Sequence, residues 1–134
     1  EPNLFKAIVA IAPVTDLQQL KVDARWFSNA RNEAERIGDG PHIREGSPLQ
    51  NASRITAPVL MFHGDRDLNV QLIHSRRMDD ALRDAGRQSQ LVVFPNLEHD
   101  LADGEARRRM LDQIRTFLGG RLGPSQAVAS AATP

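Results

Sequence analysis

Asp67 and His99 have the residue types and spacing for acid–base chemistry. Each follows a short apolar run by a few residues, within A-P-V-L-M-F-H-G-D-R-D and L-V-V-F-P-N-L-E-H respectively. A carboxylate held by backbone amides can accept the Nδ1 hydrogen of an imidazole. That fixes the tautomer and stabilises the imidazolium formed when the ring takes a proton. The pair would supply two of the three members of a nucleophilic triad. Of the two turn carboxylates, Asp65 sits beside Gly64 and closes the turn, so Asp67 is the better orienting group.

The other polar residues sort differently. His63 ends an apolar run and reads as a hydrogen-bonded core histidine. His74 falls beside Arg76 and Arg77 on a solvated helix face, and His42 lies in a Gly/Pro loop. Asp65-x-Asp67-x-Asn69 imitates the start of a calcium loop, but Val70 stands where Gly is needed and Arg76 where Glu is needed. No H-E-x-x-H spacing supports zinc, and cysteine is absent. No metal or cofactor is expected. A hydrolytic serine would sit on a G-x-S-x-G elbow. Ser28, Ser47, Ser53, Ser75, Ser89, Ser125 and Ser130 all lack that setting. In chain order such a serine precedes its Asp and His, so the reading places it upstream of Glu1.

The elements that must position the pair follow from the apolar pattern. Val59–Phe62 is apolar on consecutive residues, as in a parallel strand covered on both faces, with Pro58 at its start. Gln90–Phe94 repeats the arrangement, and Ala7–Ala12 reads as a third, central strand. Between the last two strands, Ser75, Met78, Ala81, Leu82 and Ala85 share one face of a helix over 71–85, closed by Gly86. A strand–helix–strand unit makes the two strands parallel, so Asp67 and His99 leave the same sheet edge. In the long excursion over 17–56, Phe27, Ala30, Ala34 and Ile37 recur at helical spacing, with Asp23 as N-cap and Gly38 as stop. Ser47-Pro48-Leu49-Gln50 reads as a capping box. A last helix over 104–118 presents Met110, Leu111, Ile114, Phe117 and Leu118, and Gly119-Gly120 ends it.

The 134 residues amount to one domain at most, with 17 basic and 17 acidic side chains. This balance gives no footprint for nucleic acid, and no apolar run of membrane-spanning length occurs. The chain starts almost directly on an interior strand, which suggests a cut domain with an apolar edge prone to self-association. The fold class expected is α/β, with three parallel strands flanked by helices. Residues 1–118 would form the domain portion and 119–134 a disordered tail.

F-K-A-I-V-A-I-A-P-V-T-D-L, G-S-P-L-Q-N-A-S-R-I-T-A-P-V-L-M-F-H-G-D-R-D-L-N-V and V-F-P-N-L-E-H-D-L resemble the C-terminal part of the α/β-hydrolase domain of the prolyl oligopeptidase family, over residues 5–118. Dienelactone-hydrolase-like esterases share the H-G-x-x-D turn and the late E-H pair loosely. The resemblance implies a partial α/β-hydrolase fold, its three parallel C-terminal strands flanked by helices, and a serine peptidase acting on short peptides or acyl-amino-acid amides, with Asp67 as triad acid and His99 as base. It also implies an N-terminal part of the same protein that brings the nucleophile elbow and a gating β-propeller. Trp26 and Phe27 become candidates for lining the substrate pocket, against the alternative that they pack the excursion helix onto the sheet. An ester hydrolase and a non-catalytic α/β binding module remain the other readings; against the module, no G-x-G-x-x-G or P-loop is present.

Overall fold

The computed structural model describes residues 4–122. Three strands, β1 (Ile8–Ile11), β2 (Val59–Gly64) and β3 (Ser89–Phe94), form a parallel sheet in the order β1-β2-β3. Val59 lies opposite Ser89 and Gly64 opposite Phe94, so β2 and β3 end level with one another. Every residue of β2 is buried, as its unbroken apolar run requires. Leu60 and Phe62 face one side, packing with Val92, Phe94, Leu101 and Phe117. Val59 and Met61 face the other, with Ala52, Met78 and Leu82. Phe62 and Phe94 stack with ring centroids 6.1 Å apart, tying the two site-bearing strands together through their side chains.

β1, read as central by its apolar run, is at the edge among the described residues, as a domain cut beside it would leave it, and Ile11 is 48% exposed. An apolar run reports that the faces of a strand are covered. It says nothing about how many strands pair with it.

The excursion holds α1 (Leu17–Asp23), a 3-10 turn (Ala24–Trp26), α2 (Ala30–Ile37), α3 (His42–Glu45) and a second 3-10 segment (Pro48–Arg54). Several local expectations are corrected here. The N-cap position of the helix expected to start at Asp23, α2, is Asn29, which makes no side-chain cap bond; Asp16 caps α1, its Oδ1 accepting from Gln18 N at 2.8 Å and Gln19 N at 3.1 Å. Asp23 instead ends α1, buried, and its Oδ2 lies 3.2 Å from His74 Nε2. His74 is therefore not on a solvated face: it is 1% exposed, with Nδ1 accepting from Thr15 N at 3.3 Å. The neighbouring arginines misled because a helix face changes within one residue. Ser47 makes no capping box. Its hydroxyl accepts from Leu17 N at 2.9 Å and donates to Ile43 O, joining α1 to α3.

α4 (Ile73–Asp84) fills the crossover from β2 to β3. It ends as the sequence predicts: Gly86 has φ +70°, its N–H reaches Arg83 O at 2.9 Å, and Arg87 N reaches Leu82 O at 2.8 Å. α5 (Gly104–Leu122) runs through Gly119-Gly120 instead of stopping there. Glycine in a helix costs only about 1 kcal/mol relative to alanine. The Arg121 guanidinium, 3.9 Å above the Phe117 ring and bonded to Phe117 O at 2.8 Å, ties the last turn down. The proposed boundary at residue 118 thus falls inside a helix; the tail over 123–134 lies outside the described residues. Leu111, expected on the buried stripe, is 62% exposed. No helix of the described residues is long and apolar enough to cross a membrane.

His74 and Asp23 form a buried cross-link between α4 and α1. Burial holds the His74 ring below its ordinary pKa of 6.5, with Asp23 opposing the shift in part. The unfolded chain therefore binds this proton more readily. Its stabilising contribution is complete above about pH 6.5 and declines as the pH falls below that value. In urea titrations between pH 7.5 and pH 5, the wild-type midpoint is expected to fall more steeply than that of His74→Gln. Equal slopes would show that the ring does not titrate on unfolding.

Candidate active site

The site is built where β2 and β3 end. Beyond Gly64 the ladder continues irregularly: Asp65 N bonds Phe94 O at 3.1 Å and Arg66 N bonds Leu97 O at 3.0 Å. A Cβ on Gly64 would fall 2.2 Å from Leu97 O and 2.8 Å from Glu98 O, so only glycine admits this approach of the two backbones. Asp65 closes the junction, its Oδ1 accepting from Asn96 N at 2.6 Å. Asn96 and Leu101 bracket the second loop in left-handed backbone, at φ +60° and +46°. Such conformations are disfavoured for residues with a Cβ and persist where surrounding contacts over-determine them. Leu101 is anchored by burial in the core, and Arg107 of α5 clamps the loop, with Nε on Leu101 O and Nη2 on Asp100 O, both at 3.0 Å. Sequence reasoning missed Arg107, which sits in a run of three arginines that gives no sign of which one turns inward.

These loops bring Asp67 and His99 together. His99 Nδ1 lies 2.8 Å from Asp67 Oδ2. A carboxylate accepts, so Nδ1–H donates, and in the neutral ring Nε2 is left with its lone pair free to act as a base. Among the described residues Nε2 of His99 has no hydrogen-bond partner. The second oxygen, Asp67 Oδ1, accepts from Asn69 N and Val70 N, each at 2.9 Å. The Asp67 side chain is 0% exposed and that of His99 38%. A buried, amide-held carboxylate thus orients an accessible imidazole. His99 opens onto a depression of about 200 Å³ lined also by Arg66, Leu68, Asn69, Glu98 and Asp100.

The remaining candidates are placed as follows. His63 is a fully buried core histidine, as expected, with Val70 O and Ser75 Oγ as partners at 2.8 and 2.7 Å. Trp26 is 88% exposed and does not pack the excursion onto the sheet, while Phe27 is half-buried. His42 caps nothing catalytic; its Nε2 lies 2.8 Å from Ile37 O. None of Ser28, Ser47, Ser53, Ser75 and Ser89 is bonded to His99, and among the described residues no group of three or more His, Asp or Glu is placed to hold a metal ion.

Three parallel strands flanked by helices, with a buried Asp and an accessible His on the carboxyl rim, form a partial α/β-hydrolase fold. The chain belongs to the prolyl oligopeptidase family, whose model matches residues 1–125. It is 30% identical over 114 residues to the uncharacterized peptidase YuxL of Bacillus subtilis, covering 82% of this chain and 17% of that protein. It is also 30% identical over 112 residues to acylamino-acid-releasing enzyme 2 of Oryza sativa, covering 75% of this chain and 14% of that one. Among solved structures, a Mycobacterium tuberculosis puromycin-hydrolyzing peptidase superposes with a TM-score of 0.77 at 28% identity, over 89% of this chain and 19% of that chain. The chain thus spans about one sixth of the length of these relatives.

Gly64→Ala tests the junction. The added methyl must push the Leu97–Glu98 carbonyls away, at a cost of about 1–3 kcal/mol in overpacking. The expected result is a lower unfolding midpoint together with loss of the downfield Nδ1–H signal of His99. A variant with wild-type stability and an intact signal would show that the two backbones have room to spare.

Proposed function

We propose that this chain supplies the acid and base of a Ser-His-Asp triad. The protein containing it would be a serine peptidase that cleaves short peptides or acyl-amino-acid amides through an acyl-enzyme. The observation that carries the reading is the 2.8 Å bond from His99 Nδ1 to Asp67 Oδ2, made to a carboxylate whose other oxygen is held by two amides. In this reading His99 Nε2 takes the proton of a serine hydroxyl as its oxygen attacks the substrate carbonyl. The imidazolium, stabilised by Asp67, then gives that proton to the departing amine. Water repeats the sequence on the acyl-enzyme, releasing the acid and restoring the serine. The nucleophile elbow, the oxyanion amides and a gating propeller belong to the rest of the protein. The names of the relatives, an acylamino-acid-releasing enzyme and a puromycin-hydrolyzing peptidase, support amide substrates.

Trp26 and Phe27 are proposed to line the substrate pocket. The exposure of Trp26 supports this, because an indole turned to the surface is available for contact. The edge of β1, with Ile11, Leu4 and Phe5 exposed nearby in sequence, is proposed to cause self-association when the chain is isolated.

Four measurements test these proposals. A fluorophosphonate probe should leave the isolated chain unlabelled; stoichiometric labelling would place an activated serine within it. In the whole protein, Asp67→Asn should fold normally yet lower kcat by about 10⁴-fold on amide substrates; wild-type turnover would reduce Asp67 to a turn residue. Comparing amide with ester substrates in the same assay separates a peptidase from an esterase. On gel filtration the isolated chain should elute as oligomers at raised concentration, and a concentration-independent monomer would count against the sticky edge.

A further inference from the structure

The oxygen of Asp67 that receives His99 has a second imidazole beside it. His63 Nε2 lies 3.2 Å from Asp67 Oδ2 and 2.8 Å from Val70 O. A carbonyl can only accept, so Nε2 must carry a hydrogen. The other ring nitrogen, Nδ1, lies 2.7 Å from Ser75 Oγ on α4. In the neutral ring that nitrogen accepts, and the serine hydroxyl donates to it. The carbonyl after the Asp67 turn and the hydroxyl of the next helix therefore select one tautomer of His63 between them.

Ser75, His63 and Asp67 have the composition of a triad, but not its access. Ser75 and His63 are both 0% exposed, so no substrate carbonyl can reach the hydroxyl. The serine also bonds Nδ1 while the acid lies toward Nε2, the reverse of the orientation by which an acid assists a base.

The geometry points to His63 as a positioning residue for the Asp67–His99 pair. This inference rests on the triad reading of that pair. The two amides hold Oδ1, and the His63 Nε2–H is donated to the carbonyl of Val70, the residue whose N–H is one of those two amides, while the ring edge stands 3.2 Å from Oδ2, the oxygen on which the base depends. Because His63 belongs to β2 itself, immediately before Gly64, its ring is placed by the most buried strand of the fold. A neutral donor to Val70 O can fix the turn that grips the carboxylate without cancelling the negative charge that a protonated His99 requires. A cationic side chain at the same place would compete with His99 for that charge. Ser75 acts one step further back, by keeping the Nε2 hydrogen directed at the turn.

The test is long-range ¹H–¹⁵N spectroscopy of the histidine rings in the full chain. Wild type should show His63 as the Nε2–H tautomer and a downfield, slowly exchanging Nδ1–H signal from His99. His63→Phe removes the donor, and the His99 proton should then exchange with water at least ~10-fold faster, equivalent to one lost hydrogen bond. His63→Gln restores an amide donor near the same point and should recover most of the protection. An Nδ1–H tautomer of His63 in wild type would overturn the inference without any variant. So would a folded His63→Phe with His99 unchanged, or a folded His63→Gln no better than His63→Phe. Asp67→Asn separates the two levels. If the His99 signal survives that change, the triad reading itself fails; if it disappears there but persists in His63→Phe, only the role of His63 fails.

Discussion

The approach of the Leu97 and Glu98 carbonyls onto Gly64 is the constraint from which the site's geometry follows. Parallel strands end wherever their register leaves them, and here Gly64 and Phe94 finish opposite one another. Two loops leaving level strands can diverge at once or stay in contact. The missing side chain at position 64 lets them stay in contact, and the bonds Asp65 N–Phe94 O, Arg66 N–Leu97 O and Asn96 N–Asp65 Oδ1 then close the junction. Asp67 and His99, three and five residues beyond the strand ends, fall within hydrogen-bonding distance as a result.

The four histidines of the chain show how environment, not residue type, assigns a role. His63 and His74 are both buried, with both ring nitrogens engaged; His63 joins β2 to the turn and helix that follow it, and His74 joins α4 to the distant segment around α1. His42 is exposed and bonded only to a local carbonyl. His99 alone combines a buried carboxylate on one nitrogen with solvent access at the other. A general base needs that asymmetry, because a ring satisfied on both sides has no lone pair to offer and a ring satisfied on neither has no fixed tautomer.

The excursion is fastened to the helix that follows the Asp67 turn. His74–Asp23, Thr15 Oγ1–His74 O at 2.8 Å and Arg77–Gln19 at 2.8 Å all join α4 to the segment around α1. Trp26 extends from that segment only three residues past Asp23. The exposed indole and the Asp67 turn are thus referred to one helix, so displacing α4 would move both. Buried polar links of this kind are costly when half-satisfied, which favours a single relative placement.

The apolar runs were enough to reveal the three strands, their parallel pairing and the shared rim. A run such as Val59–Phe62 can be stable only if both faces are covered, and the crossover helix leaves one direction for the next strand. The candidacy of Asp67 and His99 followed from their distance past those runs. The cap at Gly86 was legible for a similar reason: left-handed backbone is a local property that glycine meets by itself. The status of His74, Asp23 and Ser47 was not legible, because their partners lie 51, 51 and 30 residues away and no local pattern encodes such a meeting. Nor could the sequence tell that His63 lies beside the oxygen that His99 bonds, or that Gly119-Gly120 stays helical beneath Arg121. Those outcomes depend on three-dimensional packing, where the energy of a contact is set by which distant groups arrive together and how completely water is removed from them.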